Sequence, residues 1–320
     1  LRNLGKLNEL YLSLPHRYAR IYKSVNSDGD DLYEARNTHN SFSSRQVENC
    51  KFLFFNRNIA KDCYDISFQG YGAELLYEIS HVFGGSYAFG VRNFNNRDSH
   101  YNEECHECSN VFGCEGLRKK SYCILNKQYT KEEYEELLPR IIEQMEEMPY
   151  VDERDRVYRY GEFFPSELSP FAYNETIAQE YFPLNKEEGI NRGYKWKDPE
   201  IRNYQIDIEN KDIPDNINET TEDILSKVIA CAHAGDCMDQ CTEAFKIVLE
   251  EFKFYKRMGL PLPRLCPNCR HYERIKQRNP LKLWHRTCMK EGCQNEFETS
   301  YAPDRPEIVY CERCYQQEVY

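Results

Sequence analysis

Two short cysteine pairs near the carboxyl end constrain the fold of this chain more than any other feature. Cys288-x4-Cys293 and Cys311-x2-Cys314 are separated by 17 residues. A short pair places two thiolates on one side of a tetrahedron, and a second pair about 15–20 residues away completes it. The spacing therefore predicts a structural zinc site with four cysteine ligands.

An earlier group of five cysteines predicts a second zinc ion. Cys266 and Cys269 form a Cys-Pro-Asn-Cys knuckle, and Cys241 is the best third ligand. The fourth ligand is either Cys237 or Cys231. We favour Cys237, because the Cys237-x3-Cys241 spacing makes a compact turn, but Cys231 remains an alternative ligand.

The surroundings of this second site indicate its local architecture. Residues 245–255 have a strand-then-helix pattern, and a helix is expected from Arg270 to Gln277, directly after the knuckle. This order favours a small α+β zinc-ribbon module with a treble-clef-like arrangement. His233, between the two candidate fourth ligands, is a further possible ligand.

Short clusters of apolar and aromatic residues recur through residues 30–126. Their centres, at positions 50, 63, 76, 88, 100, 111 and 122, are 13, 13, 12, 12, 11 and 11 residues apart. A repeat this short cannot hold a helical hairpin, but one strand and one turn can stack on the next copy. We predict a β-solenoid-like domain with an 11–13-residue repeat; an antiparallel β-domain of short hairpins is the alternative.

Four cysteines within the repeats are candidates for a third zinc ion. Cys105 and Cys108 have the spacing of a ligand pair, and Cys114 and Cys123 follow. The alternative is that these small thiols pack between neighbouring coils of the solenoid.

The chain divides into five predicted parts. They are an amino-terminal extension (1–29), the solenoid (30–126), a capping helix (127–150), an irregular and helical connector (151–225) and a double zinc-binding module (226–320). The capping-box pattern Thr130-x2-Glu133 begins a helix of about 131–147, which is expected to cover the open edge of the last coil. Pro139 should kink or break that helix.

The net charge of −11 is unevenly distributed. Residues 253–290 contain eleven lysines and arginines and one acid, Glu273, so this segment is +10 and the remainder −21. Basic residues mixed with aromatic ones suit phosphate contacts and base stacking, which favours nucleic acid, RNA slightly ahead of DNA. The candidate nucleic-acid-binding residues are Arg270, Arg274, Lys276, Arg278, Lys282 and Arg286.

The predicted four-cysteine zinc sites argue against catalysis. Four thiolates saturate a zinc ion, whereas catalytic zinc keeps an open position. We therefore expect a non-enzymatic zinc protein in a reducing, cytoplasmic compartment, with no membrane or small-molecule partner. The alternative to nucleic-acid binding is a protein–protein scaffold, or a self-assembling structural protein, that uses the face of the solenoid.

Four stretches of the chain carry a family resemblance: 112–117 (FGCEGL), 120–134 (KSYCILNKQYTKEEY), 261–270 (PLPRLCPNCR) and 301–315 (YAPDRPEIVYCERCY). With these stretches the chain resembles a family of uncharacterised zinc-ribbon proteins from small-genome environmental bacteria. The chain departs from that family where the usual Cys-x-x-Cys-Gly opening is replaced by the longer stretch from Cys231 to Cys241. The resemblance implies metal binding and leaves activity open.

Overall fold

The computed structural model describes residues 4–90, 92–200 and 202–319. The chain forms two compact units, one made of Leu1–Leu168 with Pro280–Tyr320 and the other of Ser169–Asn279. The segment 226–320, which the sequence suggests is one double zinc module, is thus divided. Its two cysteine groups lie in different units.

The elements are short apart from the longer strands of the first unit and one helix. The strands in chain order are β1 (Pro15–Arg17), β2 (Ile21–Tyr22), β3 (Val25–Glu48), β4 (Lys51–Asn56), β5 (Ala60–Lys61), β6 (Tyr64–Gln69), β7 (Ala73–Gly90), β8 (Asn93–Asn102), β9 (Cys105–His106), β10 (Ser109–Phe112), β11 (Ser121–Ile124), β12 (Lys127–Gln128), β13 (Tyr150–Val151), β14 (Val157–Tyr158), β15 (Ile229–Ala230), β16 (Ala244–Phe245), β17 (Trp284–Thr287), β18 (Glu296–Thr299) and β19 (Ile308–Tyr310). The α-helices are α1 (Leu4–Ser13), α2 (Lys131–Glu147), α3 (Ala178–Tyr181), α4 (Lys186–Asn191), α5 (Leu249–Met258), α6 (Pro267–Lys276) and α7 (Glu312–Val319). Single 3₁₀ turns occupy Ser166–Leu168, Tyr173–Glu175, Asn210–Asp212, Ile217–Glu219 and Glu222–Ser226.

Strands β2–β12 wind into a β-solenoid of about nine turns, which confirms the predicted fold. The coils pair in parallel, and only the final β11–β12 pairing is antiparallel. The register gives the coil length directly: 13 residues separate Lys51 from Tyr64 and Tyr64 from Tyr77, and 11 separate Phe83 from Phe94. The predicted repeat of 11–13 residues is therefore the length of one coil.

Each coil has several corners, whereas the sequence predicted one strand and one turn in each repeat. Between residues 32 and 56 every third side chain is buried, namely Leu32, Ala35, Thr38, Ser41, Ser44, Val47, Cys50, Leu53 and Asn56. The residue before each of these has a positive φ of 47–58°. A left-handed residue costs about 1–2 kcal/mol for most side chains, least for Asn and Asp. A 12-residue coil consequently has four corners, and stacked neighbours must stabilise them.

Polar side chains stack along one of these corners. The Nδ2 of Asn26 donates to Oδ1 of Asn37 (2.9 Å), Asn37 donates to Asn49 (3.2 Å), and Asn49 donates to Asp62 (2.9 Å). All four residues have positive φ. Each corner is therefore joined to the next by a side-chain amide, which offsets part of the cost of its left-handed backbone.

The solenoid interior is a set of stacked columns. Leu53, Ile66 and Ile79 occupy one column in register and are at most 1 % exposed. Burying each such side chain contributes about 1.5–3 kcal/mol. Cys50 and Cys63 lie inward in a neighbouring column and pack in the same core.

Helix α2 covers the carboxyl-terminal end of the solenoid, as predicted. The Thr130–Glu133 capping box is present in full, and the helix begins at Lys131. Its one fully buried side chain, Tyr134, packs against Phe112 and Ile124 of the last coils. Pro139 does not end the helix, which continues for two more turns to Glu147.

The carboxyl-terminal segment covers the other end of the solenoid, a role that the sequence did not suggest. Strand β19 pairs in parallel with β1, and α7 is tied to β1 by the ion pair of Arg17 with Glu312. Ser300 donates to Asp30 at the start of the first coils (3.0 Å). Residues 15–22 thus belong to this junction and to the solenoid itself, and not to a separate extension of 1–29.

The second unit is mostly irregular and has one core. Short turns and helices replace long elements, in agreement with an irregular connector, but no boundary falls at residue 225. Its buried core joins both sides of that position: Ile213, Ile217, Ile224, Ile229, Cys231, Phe245, Ile247, Phe252, Leu262, Cys266 and Cys269.

Candidate metal centres

The first candidate centre is the Cys231 cluster, made of Cys231, Cys241, Cys266 and Cys269. Its four sulfur atoms lie within 4.8 Å of one another. Cys231 directly follows β15, and Cys241 precedes β16, its antiparallel partner. Cys266 caps helix α6, and Cys269 lies in the first turn of that helix. A hairpin and a helix start thus provide two ligands each.

The second candidate centre is the Cys288 cluster, made of Cys288, Cys293, Cys311 and Cys314. These four sulfurs also lie within 4.8 Å of one another. Cys288 and Cys293 stand between the antiparallel strands β17 and β18. Cys311 and Cys314 stand at the start of helix α7. All eight sulfurs belong to buried or half-buried residues.

Each cluster contains an equivalent hydrogen bond from a backbone N–H to a cysteine sulfur. The N–H of Cys266 donates to Sγ of Cys231 at 3.2 Å, and the N–H of Cys311 donates to Sγ of Cys288 at 3.3 Å. N–H donors lower the charge density on a thiolate and fix its orientation around a metal. The same local design therefore occurs twice, once in each unit.

One helix-start cysteine in each cluster, Cys266 and Cys311, has a lowered pKa, whereas burial raises the pKa of its partners Cys269 and Cys314. Burial alone would raise the pKa of Cys266, but hydrogen bonds from Thr242 and the Cys269 backbone N–H lower it to about 6. Burial likewise opposes ionisation of Cys311, and hydrogen bonds from the Cys314 N–H and from the side chain of Asn295 lower its pKa to about 7. Thiolate is the form that binds zinc.

The group of four sulfurs contains Cys231, the alternative fourth ligand, and not the favoured Cys237. Cys231 completes the set of four sulfurs because the β15–β16 pairing, through the N–H of Cys231 to the carbonyl of Glu243 (2.7 Å), brings it beside Cys241. Sequence spacing could not show this pairing. Cys237 lies close by, with its Sγ 3.7 Å from that of Cys269.

The four solenoid cysteines predicted as a third zinc site are not grouped as ligands in the part of the chain that the structure describes. Cys105, Cys108, Cys114 and Cys123 are buried together, but their sulfurs are not among the possible ligand groups found in the residues described. The thiol of Cys105 donates to the carbonyl of Cys114 (3.4 Å) and that of Cys114 to the carbonyl of Cys123 (3.5 Å), each on the next coil, whereas Cys108 and Cys123 contact carbonyls of their own coils. Packing between coils, the alternative reading, explains their positions.

A different third group surrounds Cys269. The ligand atoms of His233, Cys237, Asp239 and Cys269 all lie within 4.8 Å of one another. His233 and Cys237 were predicted from the sequence only as possible ligands of the zinc ion at the Cys266–Cys269 knuckle, and Asp239 was not predicted as a ligand. The signal was available in the unusually long stretch between Cys231 and Cys241, which places a histidine, a cysteine and an aspartate between two ligands.

The six candidate nucleic-acid-binding residues are divided between the two units. Arg270, Arg274, Lys276 and Arg278 lie in the second unit, and Lys282 and Arg286 lie in the first.

Several of the six already contact protein groups. Arg270 donates to Glu251 (2.8 Å) and to the Tyr255 hydroxyl (3.0 Å). Lys276 pairs with Asp239 (2.8 Å), and Arg286 donates to the carbonyl of Ala302 (3.1 Å).

Other contacts involve aromatic rings. Lys282 lies over the ring of Trp284 at 5.1 Å, and Arg278 lies over that of Tyr181 at 5.6 Å. Arg274 is exposed on α6.

Comparisons with protein families, curated proteins and solved structures find no match to this chain. None of the helices within residues 4–90, 92–200 and 202–319 has the length and apolar character of a transmembrane segment. The fold and the clusters therefore define the class on their own: a capped β-solenoid with two four-cysteine clusters.

Proposed function

We propose that both clusters hold structural zinc and that the protein acts by binding a macromolecule, not by catalysis. The observation that carries this proposal is the composition of each cluster, four thiol sulfurs within 4.8 Å of one another. Such a set closes the zinc tetrahedron and leaves no position for a substrate or for an activated water. The hairpin-plus-helix arrangement of each cluster supports a treble-clef-like zinc module.

Metal content tests this proposal. The full chain, purified with a reductant and without added metal, is expected to retain zinc at both clusters. Replacing Cys241 or Cys293 with serine should each remove one zinc ion per chain, measured by inductively coupled plasma mass spectrometry. The matched control is replacement of Cys50, a solenoid cysteine outside both clusters, with serine. A chain that folds without metal and takes up none would contradict the proposal.

Nucleic acid is the first candidate partner. Arg274 lies in the last turn of α6, and Arg278, two residues beyond the end of that helix, lies over the ring of Tyr181. Exposed arginine next to an aromatic ring supports phosphate contact together with base stacking. The contacts of Arg270, Lys276 and Arg286 leave a smaller basic surface than the sequence suggested.

Fluorescence anisotropy with short RNA and DNA across a salt series tests this partner. Replacing both Arg274 and Arg278 with alanine should weaken binding and reduce the log–log salt slope by about 0.7–0.9 per lost phosphate contact. A variant with Lys211 and Lys246 replaced removes the same charge from exposed positions in the same unit. Equal loss in both variants, or no binding by the wild type at low salt, rules out a specific site at α6.

A protein partner is the second candidate, and the side of the solenoid is the surface concerned. Tyr64 and Tyr77 are adjacent in register and remain 46 % and 44 % exposed. Both ends of the solenoid are covered, one by α2 and one by the segment with the Cys288 cluster. Covered ends favour a lateral docking surface over end-to-end self-assembly. Replacing Tyr64 and Tyr77 with serine should leave the fold intact and abolish partner binding if this surface is used.

A further inference from the structure

We propose that a second metal ion binds beside the Cys231 cluster, held by His233, Cys237 and Asp239 and joined to the first ion through the sulfur of Cys269. This inference rests on the proposed zinc ion in the Cys231 cluster. Cys269 is the one residue common to both groups of potential ligands. A thiolate sulfur has lone pairs for two metal ions, so one cysteine can bridge a pair.

The distances suit a tetrahedral ion. The sulfurs of Cys237 and Cys269 are 3.7 Å apart. A tetrahedron with Zn–S bonds of about 2.3 Å has an edge of about 3.8 Å. Nδ1 of His233 and Oδ2 of Asp239 are also 3.8 Å apart, within half an ångström of the edge of about 3.4 Å that shorter Zn–N and Zn–O bonds require.

An unsatisfied nitrogen points to a ligand at this position. Nδ1 of His233 is buried and has no hydrogen-bond partner. Leaving a buried polar atom unpaired costs about 1–3 kcal/mol, and neutral imidazole nitrogen is a common zinc ligand. The Asp239 side chain that faces it is also buried, at 6 % exposure. A metal ion between the two would satisfy the nitrogen and would take Oδ2 of Asp239, which also contacts Lys276, as a further ligand.

Charge also favours the second ion. A zinc ion with four thiolates has a net charge of −2. A second Zn²⁺ that adds the Cys237 thiolate and the Asp239 carboxylate changes this net charge by zero. Lys276, 2.8 Å from Oδ2 of Asp239, remains available to balance part of the total. An unmetallated Asp239 and a thiolate at Cys237 would instead add two negative charges beside the first ion.

The Cys288 cluster provides an internal comparison. It has the same hairpin, helix start and N–H···S hydrogen bond, but only four residues separate Cys288 from Cys293. Nine residues separate Cys231 from Cys241, and this longer segment carries all three additional ligands. The extra length is not needed to hold one zinc ion, since the shorter connection places four sulfurs equally well.

Zinc stoichiometry tests the proposal on the full chain. Metal-free protein is refolded with Zn²⁺ under reducing conditions, freed of excess metal by gel filtration and measured by plasma mass spectrometry. We expect three zinc ions per chain, and two after Cys237→Ala. Met238→Ala, an exposed neighbour in the same segment, should retain three. His233→Ala provides an independent variant should Cys237→Ala fail to fold.

The outcomes separate this proposal from the one on which it rests. Two ions in the wild type, with no change in Cys237→Ala or His233→Ala, would overturn the second ion and leave the Cys231 and Cys288 clusters intact. Fewer than two would also overturn the proposed function.

Cobalt(II) tests the bridge. Two high-spin Co²⁺ ions that share a thiolate couple magnetically and lose electron paramagnetic resonance intensity. We expect the fully loaded wild type to show the signal of about one isolated ion, from the Cys288 cluster, and Cys237→Ala to show two. Three uncoupled ions in the wild type would contradict a shared Cys269.

Discussion

The hydroxyl of Ser300 donates a hydrogen bond to Oδ2 of Asp30 at a distance of 3.0 Å, and both side chains are buried. This bond joins the residue that follows β18, in the segment with the Cys288 cluster, to the first coils of the solenoid. Asp30 also accepts from the backbone N–H groups of Arg20 and Asp31, at 2.9 Å each. One carboxylate thus connects the segment with the Cys288 cluster, the link between β1 and β2, and the first corner of the solenoid.

Removing this bond should loosen the cap. Ser300→Ala leaves one oxygen of a buried carboxylate without its donor, which costs about 1–3 kcal/mol. We expect chemical denaturation to show a loss of that size in the free energy of unfolding. Ser13→Ala, which removes an exposed hydroxyl at the end of α1, is the control and should change the free energy by less than about 0.5 kcal/mol. Equal values for both variants would show that Ser300 does not stabilise the junction.

Metal removal should act on one end of the solenoid. Cys311→Ser opens the Cys288 cluster, so the pairing of β19 with β1 loses its support. Hydrogen exchange is then expected to increase at the first coil, around Leu32 and Ala35, while the coils under α2 stay protected. Cys269→Ser opens the other cluster and is the matched control. Uniform exchange changes in both variants would contradict a capping role for the Cys288 cluster.

The opposite end depends on α2. Tyr134→Ala removes the one fully buried side chain of this helix, and loss of a large buried aromatic residue costs about 3–5 kcal/mol. The last coil would then present an uncovered edge, which promotes association. We expect a lower melting temperature and a concentration-dependent increase in mass by light scattering. Glu143→Ala, on the exposed side of α2, should behave as wild type.

The sequence was sufficient to predict the features that depend on local spacing. The 11–13-residue repeat, the start of α2 at its capping box and seven of the eight cluster ligands follow from residues near one another in the chain. The four-cornered coil was not predictable in the same way. Left-handed corners fall at Phe52 and Tyr87 as well as at asparagines, because stacking between coils outweighs the local preference.

Long-range pairings explain the remaining differences. The choice of Cys231 depends on the pairing of β15 with β16, and the capping role of the Cys288 cluster depends on that of β1 with β19. Both pairings are too short to leave a periodic pattern in the sequence. The division of segment 226–320 between two units has the same origin, since β1 holds β19 in the first unit.

The solenoid should become less stable as the pH falls below neutrality, in part through His100. Burial lowers the pKa of His100 to about 4, and Nδ1 of its ring contacts the Tyr160 hydroxyl at 2.9 Å. Because the folded state holds His100 neutral, the unfolded state binds its proton first as the pH falls. The contribution of neutral His100 to the free energy of unfolding is therefore full above about pH 6.5, the pKa of histidine in unfolded chains, and is lost as the pH falls to about 4.

Denaturation at several pH values tests this. The difference in unfolding free energy between wild type and His100→Gln is expected to shrink by about 3 kcal/mol from pH 7 to pH 4. Metal loss in acid affects both proteins alike and cancels in the difference. A difference that does not change with pH would show that His100 does not titrate on unfolding.

The asparagine column allows backbone strain to be separated from hydrogen bonding. Asn49 has a φ of 55°, receives a hydrogen bond from Asn37 and donates one to Asp62. Asn49→Ala loses both hydrogen bonds and keeps the left-handed strain, whereas Asn49→Gly loses the hydrogen bonds alone. We therefore expect Asn49→Ala to be less stable than Asn49→Gly by about 1 kcal/mol. Both should be less stable than wild type, because the column is interrupted at its centre. If the alanine variant matched or exceeded the glycine variant in denaturant, the corner would not be strained and the amide column alone would account for the asparagines.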